Sequence, residues 1–246
     1  MMPVLQVGPF ALPLPVLTVL IGLWLGLTLT ERFAARNDLK ADLVINTAML
    51  GLISGVIASR FGYVLRHLSA FIASPMDVFS RNLGLFDPII GIAVGVISSA
   101  IYAQRKDLRW LPTLDALTPA LAVFAIALHL SHLASGEAYG TPSNLAWSIE
   151  LWGIRRHPSQ IYEAAAALAI LIYLWPGRKN VTSLLPGEYF IRFMTLSAAS
   201  LLFLEGFRGD SALLPGGLRI PQITAWLVLA TSLVALGRRR QKINIR

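Results

Sequence analysis

Seven apolar runs separated by short polar and basic segments constrain the fold of this chain more than any other feature. They cover residues 10–30, 43–59, 88–104, 114–134, 160–175, 186–204 and 220–237. A bilayer core needs about 20 apolar residues per helix, and most of the runs approach that length. Since 55% of the residues are hydrophobic and only 14% are charged, an ordinary soluble domain is excluded. The sequence predicts an all-α, polytopic integral membrane protein with about seven transmembrane helices and a single domain over residues 1–246.

The distribution of basic residues predicts the orientation of these helices. Lys and Arg accumulate in the cytoplasmic loops of membrane proteins. When alternate loops are grouped, thirteen basic residues fall on one side and seven on the other. This places the N-terminus outside and the C-terminus in the cytoplasm. Residues 1–8 contain no Lys or Arg, so we expect no cleavable signal peptide with a basic start and expect the first helix to remain.

Composition also excludes several kinds of site. The chain has no cysteine, which rules out disulfides, thiolate catalysis and cysteine metal sites. Its net charge of +8 comes from short basic clusters between apolar runs, which topology and anionic lipid explain better than nucleic acid does. We therefore expect a membrane partner and no nucleic acid.

Two histidines end the fourth apolar run. His129 and His132 are three residues apart, so they are neighbours on one helical face. Either could act as a base near neutral pH. For each, a hydrogen bond between helices is an equally acceptable explanation. A metal site would need a third ligand that the sequence does not reveal, so no metal or other cofactor is predicted.

A polar segment, residues 157–163, stands where the fifth apolar run begins. Pro158 suits the first turn of a helix, so Glu163 is carried into the apolar segment. Because a carboxylate is costly to desolvate there, we expect Glu163 to face polar surroundings and to have a partner. The alternative is that His157, Ser159 and Gln160 merely cap the helix.

Polar residues that are hard to explain as solvated loop gather on the predicted outer side. They are Arg60, Glu137, His157, Glu163, Glu205 and Arg208. A random scatter would place such residues on both sides, so the sequence indicates a polar site in the outer half of the membrane. Glu205 and Arg208 are close enough for a local ion pair, and arginine also suits phosphate. For Arg60, an anchor that snorkels to the interface is the alternative.

The sequence of residues 157–163, His-Pro-Ser-Gln-Ile-Tyr-Glu, resembles the HPSQLYE signature of the bacterial prolipoprotein diacylglyceryl transferases. Residues 60–63 resemble that family's RxGY segment, residues 136–140 the end of its GRxGNFxNGExxG signature, and residues 205–208 its E-F-x-R close. The resemblance covers most of the chain in the family's order. The family likewise has seven spans with its N-terminus outside.

This resemblance implies transfer of a diacylglyceryl group from phosphatidylglycerol to the lipobox cysteine thiol of a preprolipoprotein. The reaction occurs at the outer face of the bacterial cytoplasmic membrane, so the implied partners are phospholipid, the preprolipoprotein signal segment and the membrane. Positive charge near the departing phosphate would come from Arg60 and Arg208, while Glu137 would orient groups or take the thiol proton. Substrate binding is also implied for other residues of the matched motifs, namely Tyr63, His157, Gln160, Tyr162, Glu163 and Glu205.

The chain departs from the family pattern at positions that matter for chemistry. His129 stands where the signature opens with arginine, His132 replaces an asparagine, and Leu201 replaces a second arginine. A neutral imidazole cannot supply a permanent guanidinium fork, so retained transfer requires chemistry built on His129, His132 and Glu137. The alternatives are a non-catalytic relative that binds lipid or lipoprotein without transfer and a small transporter. A transporter lacks support because no polar file crosses the inner half.

Overall fold

The computed structural model of the protein describes residues 4–7, 10–80, 83–175 and 185–244, and most of them are helical. The α-helices are α1 (Leu14–Arg36), α2 (Ala41–Arg66), α3 (Leu68–Ala73), α4 (Pro88–Arg105), α5 (Trp110–Ser135), α6 (Ser159–Tyr173), α7 (Glu188–Leu204) and α8 (Ile220–Asn244). Short 3₁₀ turns cover Pro75–Phe79, Leu83–Leu85 and Glu205–Phe207. Two antiparallel hairpins pair β1 (Val4–Val7) with β2 (Phe10–Pro13) and β3 (Ile149–Leu151) with β4 (Ile154–Arg156).

Among the described residues, six helical segments are long and apolar enough to cross a membrane: α1, α2, α4, α5, α7 together with the 3₁₀ turn that follows it, and α8. This confirms the prediction of an all-α polytopic membrane protein. The remaining predicted span, residues 160–175, corresponds to α6, which has 15 residues. At 1.5 Å per residue, α6 is about 22 Å long, which is less than the hydrocarbon thickness of about 30 Å.

Three predicted helix boundaries are wrong. Residues 10–13 are a strand, β2, since an apolar run does not by itself distinguish a strand from a helix. The second span does not end near Ser59 but continues to Arg66, so Arg60 lies within α2. Pro158 does not occupy the first turn of α6 but precedes it at the N-cap position.

The chain forms two compact units, one made of Met1–Thr30 with Leu114–Arg246 and the other of Glu31–Thr113. We call them the first and second units. Four of the basic residues that were counted for the orientation lie outside the described residues: Arg81, Arg178, Lys179 and Arg246. The orientation therefore stays a prediction. The assignment of a single domain over residues 1–246 also stays a prediction.

In the second unit, α2 and α4 pack through small residues. A Cβ atom on Gly95 would lie 2.7 Å from the carbonyl oxygen of Gly51, and one on Gly55 would lie 2.9 Å from that of Gly91. Glycine at these positions allows the two backbones to approach closely, which is how apolar helices associate without a hydrophobic driving force. Asp87 begins α4 by accepting a hydrogen bond of 3.0 Å from the Ile90 amide.

In the first unit, α5, α6 and α7 surround a core of buried apolar side chains. Ala122, Ile170, Leu171, Leu174, Tyr189 and Phe193 form this cluster. The start of α7 is fixed by Asp115 of α5, whose carboxylate accepts hydrogen bonds from the amides of Gly187 and Phe190. Because these amides would otherwise lack partners at the helix start, the contact sets the position of α7 against α5.

Candidate active site

The frame of the site consists of three short backbone segments in the first unit, residues 139–142, 154–157 and 207–209. The Thr141 amide donates to the Phe207 carbonyl at 2.8 Å, and the His157 amide donates to the Thr141 carbonyl at 3.0 Å. The Gly209 amide donates to the Tyr139 carbonyl at 2.8 Å. These bonds place the start of α6 and the turn after α7 on either side of one central segment.

Glycine is required where these segments meet. A Cβ atom on Gly140 would lie 2.2 Å from the carbonyl oxygen of His157, and one on Gly209 would lie 2.8 Å from that of Gly140. Both obstacles are backbone atoms, which cannot rotate away. Gly140 is the last residue of the segment that matches GExxG, so the glycine at the end of this motif has a steric reason.

Ser159 and Gln160, the first residues of α6, bind the turn that follows α5. The Ser159 hydroxyl donates to the Ala138 carbonyl and the Gln160 side-chain amide donates to the Glu137 carbonyl, each at 2.7 Å. Both side chains are almost fully buried. They do not cap α6, so the capping alternative is wrong for these two residues, which instead join α6 to the end of α5.

Glu163 lies one turn further along α6 and has a histidine and an arginine as neighbours. Its Oε2 atom is 2.8 Å from Nδ1 of His129 on α5, and its Oε1 atom is 3.7 Å from Nη1 of Arg208. The contact with His129 is at ion-pairing distance but is not aligned as a hydrogen bond. Glu163 is only 4% exposed. The expectation that a carboxylate in this helix has a partner is confirmed.

The two histidines predicted as bases lie together. The ring centroids of His129 and His132 are 6.3 Å apart in an edge-to-face arrangement. The Nδ1 atom of His132 is buried and, within the described part of the chain, has no hydrogen-bond partner. Over residues 4–7, 10–80, 83–175 and 185–244, no group of three His, Asp or Glu side chains is placed to hold a metal ion.

Arg208 is surrounded by carboxylates. Its Nε and Nη2 atoms each donate to Asp210 at 3.1 Å, and its Nε atom is 4.0 Å from Oε2 of Glu205. Burial favours the neutral form of Arg208, but the hydrogen bonds and charge of Asp210, with the charges of Glu163 and Glu205, outweigh it and raise the pKa of Arg208. The guanidinium therefore keeps its charge at any physiological pH.

The turn that carries Arg208 is fixed by two further side chains. Arg219 donates to the backbone carbonyls of Glu205 and Arg208, and the Ser211 hydroxyl donates to the buried Glu205 carboxylate. The predicted ion pair between Glu205 and Arg208 is present only at the limit of ion-pairing distance. Arg208 interacts more closely with Asp210.

His157 and Tyr162 belong to an aromatic group beside the site. The Tyr162 hydroxyl accepts a 2.7 Å hydrogen bond from Nε1 of Trp147 and lies 3.4 Å from Nδ1 of His157. The Phe207 ring is 5.2 Å from that of His157 and 5.8 Å from that of Tyr162. Glu137 differs from these residues, since its side chain is exposed, while its backbone carbonyl accepts from Gln160 and its amide donates to the Ser135 hydroxyl at 3.4 Å.

Arg60 and Tyr63 lie in the second unit, on α2. Arg60 is 8% exposed and donates to the backbone carbonyls of Asp77, Val78 and Leu85. Its guanidinium also lies over the rings of Phe71 and Phe86. Tyr63 stacks on His67 with ring centroids 4.2 Å apart. These contacts lie between α2 and the segment that follows it.

Sequence reasoning missed several residues that shape the site. Asp210, Ser211 and Arg219 were not candidates, and neither was Trp147. Asp210 follows Arg208 by two residues, which is a usable signal for a local ion pair. Arg219 lies 8, 11 and 14 residues from the groups it binds, and Trp147 lies 15 residues from Tyr162. No sequence pattern connects such positions.

Comparison with known proteins adds a family match over nearly the whole chain. Residues 3–238 match the family model described as prolipoprotein diacylglyceryl transferase. The chain is similar to the phosphatidylglycerol–prolipoprotein diacylglyceryl transferase of Clostridioides difficile, with 28% identity over 87% of this chain and 85% of that protein. It is also similar to the proteins of the same name from Finegoldia magna (25% identity, 92% of this chain and 90% of that protein) and Synechococcus elongatus (24% identity, 94% and 84%).

Proposed function

Since the chain belongs to the prolipoprotein diacylglyceryl transferase family, we propose that it transfers a diacylglyceryl group from phosphatidylglycerol to the lipobox cysteine thiol of a preprolipoprotein. The relatives that bear the name of this enzyme match over most of the chain. The alternative of a non-catalytic relative is not favoured by these matches. No observation on the described residues favours a transporter.

The observation that carries the proposal is the position of Glu163 between His129 and Arg208. One neighbour can accept a proton near neutral pH, and the other is a permanent cation suited to phosphate. A displacement on a phospholipid needs both groups, because the attacking thiol must lose its proton and the departing phosphate must be stabilised. Glu163 holds the two groups on one carboxylate.

In the proposed reaction, the sulfur of the lipobox cysteine attacks the carbon of the diacylglycerol moiety that bears the phosphate ester. A C–S bond forms and the C–O bond to phosphate breaks, so glycerol phosphate leaves with the bonding electron pair. The thiol proton passes to His129, and Glu163 stabilises the resulting imidazolium, as a carboxylate that orients a base does in other nucleophilic sites. Arg208 stabilises the departing phosphate.

The other predicted site residues have supporting parts in this proposal. Glu137 is the second candidate for the proton acceptor, because its carboxylate is exposed while Gln160 fixes its backbone. His132 lies beside His129 and contributes to the polarity of the site. Glu205 holds the turn that carries Arg208. His157 and Tyr162 form an aromatic wall that suits the apolar part of a lipid or of a signal segment. Arg60 and Tyr63 are assigned to the structure of the second unit.

We further propose that α6 is a seventh span, with the N-terminus outside and the C-terminus inside a bacterial cytoplasmic membrane. Because the chain has no cysteine, single cysteines report topology without background. Glu150→Cys should react with a membrane-impermeant maleimide in right-side-out vesicles. The helices α6, α7 and α8 separate it from the exposed Gln241, so Gln241→Cys should react only after the membrane is permeabilised. Labelling of both sites in intact vesicles contradicts a spanning α6, and labelling of Gln241→Cys alone contradicts the orientation.

The test of function is the incubation of purified protein with phosphatidylglycerol and a lipobox peptide. We expect the mass of the peptide thiol to increase by one diacylglyceryl group. The absence of an adduct at any pH would overturn the proposed enzyme. Protein that retains lipid without turnover would support the non-catalytic alternative.

Two variants test the residue roles once an adduct is seen. His129→Ala removes the proposed base and should lower kcat about 10²- to 10⁴-fold. Glu137→Gln should have the smaller effect. A larger effect of Glu137→Gln than of His129→Ala would identify Glu137 as the proton acceptor. Glu150→Gln, an exposed carboxylate on β3, is the control for the loss of one negative charge.

A further inference from the structure

The guanidinium of Arg208 presents two different edges. Its Nη1 atom faces inward, 3.7 Å from the buried Glu163. Its Nε and Nη2 atoms form a flat two-donor edge that is filled by the carboxylate of Asp210, with both distances 3.1 Å. Arginine binds a carboxylate and a phosphate through the same pair of parallel donors. Asp210 therefore occupies the position where a phosphate would bind.

The negative charges around Arg208 disfavour the binding of another anion. Glu163, Glu205 and Asp210 all lie within ion-pairing distance of its guanidinium. The nearby Arg219 donates to backbone carbonyls and to Ser211. A phosphate added to three carboxylates would be repelled, since like charges at this distance oppose one another strongly in a partly buried site. One carboxylate must leave when phosphate binds.

Only one of the three carboxylates is placed to leave. Glu205 is fully buried and Glu163 is 4% exposed, and each lies in a helical segment. The side chain of Asp210 is 26% exposed and follows the helical turn on an irregular segment. Rotation of Asp210 into water returns its hydration at little cost, whereas release of a buried carboxylate would disrupt α6 or the turn after α7.

We propose that Asp210 is a built-in competitor that holds the phosphate position on Arg208 until the phosphodiester of the donor lipid displaces it. This proposal rests on the proposed function, because it names the lipid phosphate as the ligand. The same edge of Arg208 accepts the phosphate of released glycerol phosphate, so the return of Asp210 assists product release. Asp210 then sets the affinity for phosphate and takes no part in the bond changes.

The opposite role for Asp210 is that of an anchor which keeps Arg208 in its working orientation. The two roles predict different kinetics. Loss of a competitor tightens phosphate binding and does not lower kcat/KM. Loss of an anchor lowers kcat/KM and weakens or leaves unchanged the binding of lipid.

The experiment uses Asp210→Asn and Asp210→Ala with Glu150→Gln as the charge-matched control. Binding of phosphatidylglycerol is measured at equilibrium in nanodiscs of phosphatidylcholine, and glycerol phosphate is titrated as a soluble inhibitor. An exposed ion pair is modest in strength, so we expect the Kd for phosphatidylglycerol to fall about two- to fivefold in both Asp210 variants. The inhibition constant for glycerol phosphate should fall by a similar factor, while Glu150→Gln changes neither.

Several results would overturn the role of Asp210. These are an unchanged or higher Kd in both Asp210 variants, a fall in kcat/KM, or tighter binding of glycerol phosphate without tighter binding of the lipid. The binding measurement does not depend on turnover. If wild-type protein makes no adduct but both variants bind phosphatidylglycerol more tightly, the proposed transferase fails and the competitor role stands. If the wild-type protein forms the adduct and the Asp210 variants bind phosphatidylglycerol no more tightly than it does, the transferase stands and the competitor role fails.

Discussion

Two arginines that the sequence predicts to bind substrate, Arg60 and Arg208, have different kinds of partners. Arg60 donates to the backbone carbonyls of Asp77, Val78 and Leu85 and is 8% exposed. A backbone carbonyl cannot leave without moving its loop. We infer that Arg60 holds the segment after α2 in place, whereas its predicted part in substrate binding would require that segment to rearrange.

Arg208, in contrast, is bound by side chains. Glu163 contacts one edge of its guanidinium and Asp210 the other. A side chain can exchange for a ligand by rotating about single bonds, so the same type of residue can be structural in one region and available for chemistry in the other. The nature of the partner, backbone or side chain, separates the two cases better than burial or charge alone.

The largest expected effect follows from removing the carboxylate that joins Arg208 to the proposed base. Glu163→Gln leaves His129 without an anion to stabilise its charged form. It also replaces one anionic partner of Arg208 with a neutral amide. We expect kcat for diacylglyceryl transfer to fall about 10²- to 10⁴-fold. Glu163→Asp should recover part of kcat. Equal loss of kcat in both variants would show that Glu163 only supports the fold.

The next effect concerns the frame that positions Arg208. Gly140→Ala places a Cβ atom against the His157 carbonyl, at 2.2 Å if nothing moves, so the segments 139–142 and 154–157 must separate. Displacement of catalytic groups by about 1 Å can cost on the order of 10²-fold in rate. Gly206→Ala is the control, because a Cβ atom there meets nothing within 4 Å. Similar kcat values for the two variants would contradict the proposed tight frame.

The sequence predicts the parts of this molecule that depend on hydrophobic runs and on the cost of burying charge. The helices follow from the runs, and the need of Glu163 for a partner follows from its position in an apolar helix. The identity of that partner does not follow, because His129 is on another helix and no periodicity relates the two positions. The strand at residues 10–13 was missed because its apolar character is shared with the helix after it.

The two arginines show the same limit in another way. Both match family motifs, and the sequence assigns them the same role. The contacts of Arg60 depend on the path of residues 74–80 and 83–86, which contain short 3₁₀ turns and no sequence pattern that relates them to α2. Those of Arg208 depend on a turn whose next residues include Asp210. Motif matching locates such residues, but the acceptors that their guanidinium groups bind can be assigned only when the course of the backbone is known.

A smaller effect, on stability and not on catalysis, is expected at Arg60. Lysine cannot reproduce the fork that serves three carbonyls, so Arg60→Lys should lower the free energy of unfolding by about 2 to 3 kcal/mol. KM for phosphatidylglycerol should stay unchanged in the protein that remains folded. Thermal unfolding in detergent micelles and initial rates measure the two quantities. A raised KM with normal stability would return Arg60 to the substrate site.

Arg66→Lys is the matched control for this measurement. Arg66 lies on the same helix, is 59% exposed and pairs with Asp87 through Nη1 at 2.7 Å. A pair with one exposed partner contributes about 1 kcal/mol or less. The loss of stability should therefore be clearly smaller than for Arg60→Lys. Equal losses would mean that the backbone contacts of Arg60 contribute no more than an ordinary surface pair.

The smallest effect is predicted at Asp77, and it tests the comparison most directly. Arg60 binds the backbone carbonyl of Asp77 and not its carboxylate, and the residue is exposed. Asp77→Asn should change the free energy of unfolding by about 0.5 kcal/mol or less and leave kcat and KM unchanged. At Arg208, the same type of substitution, Asp210→Asn, should alter lipid binding, because there the carboxylate itself is the partner. If Asp77→Asn destabilised the protein as much as Arg60→Lys, side-chain charge would matter at both arginines and the distinction between them would be lost.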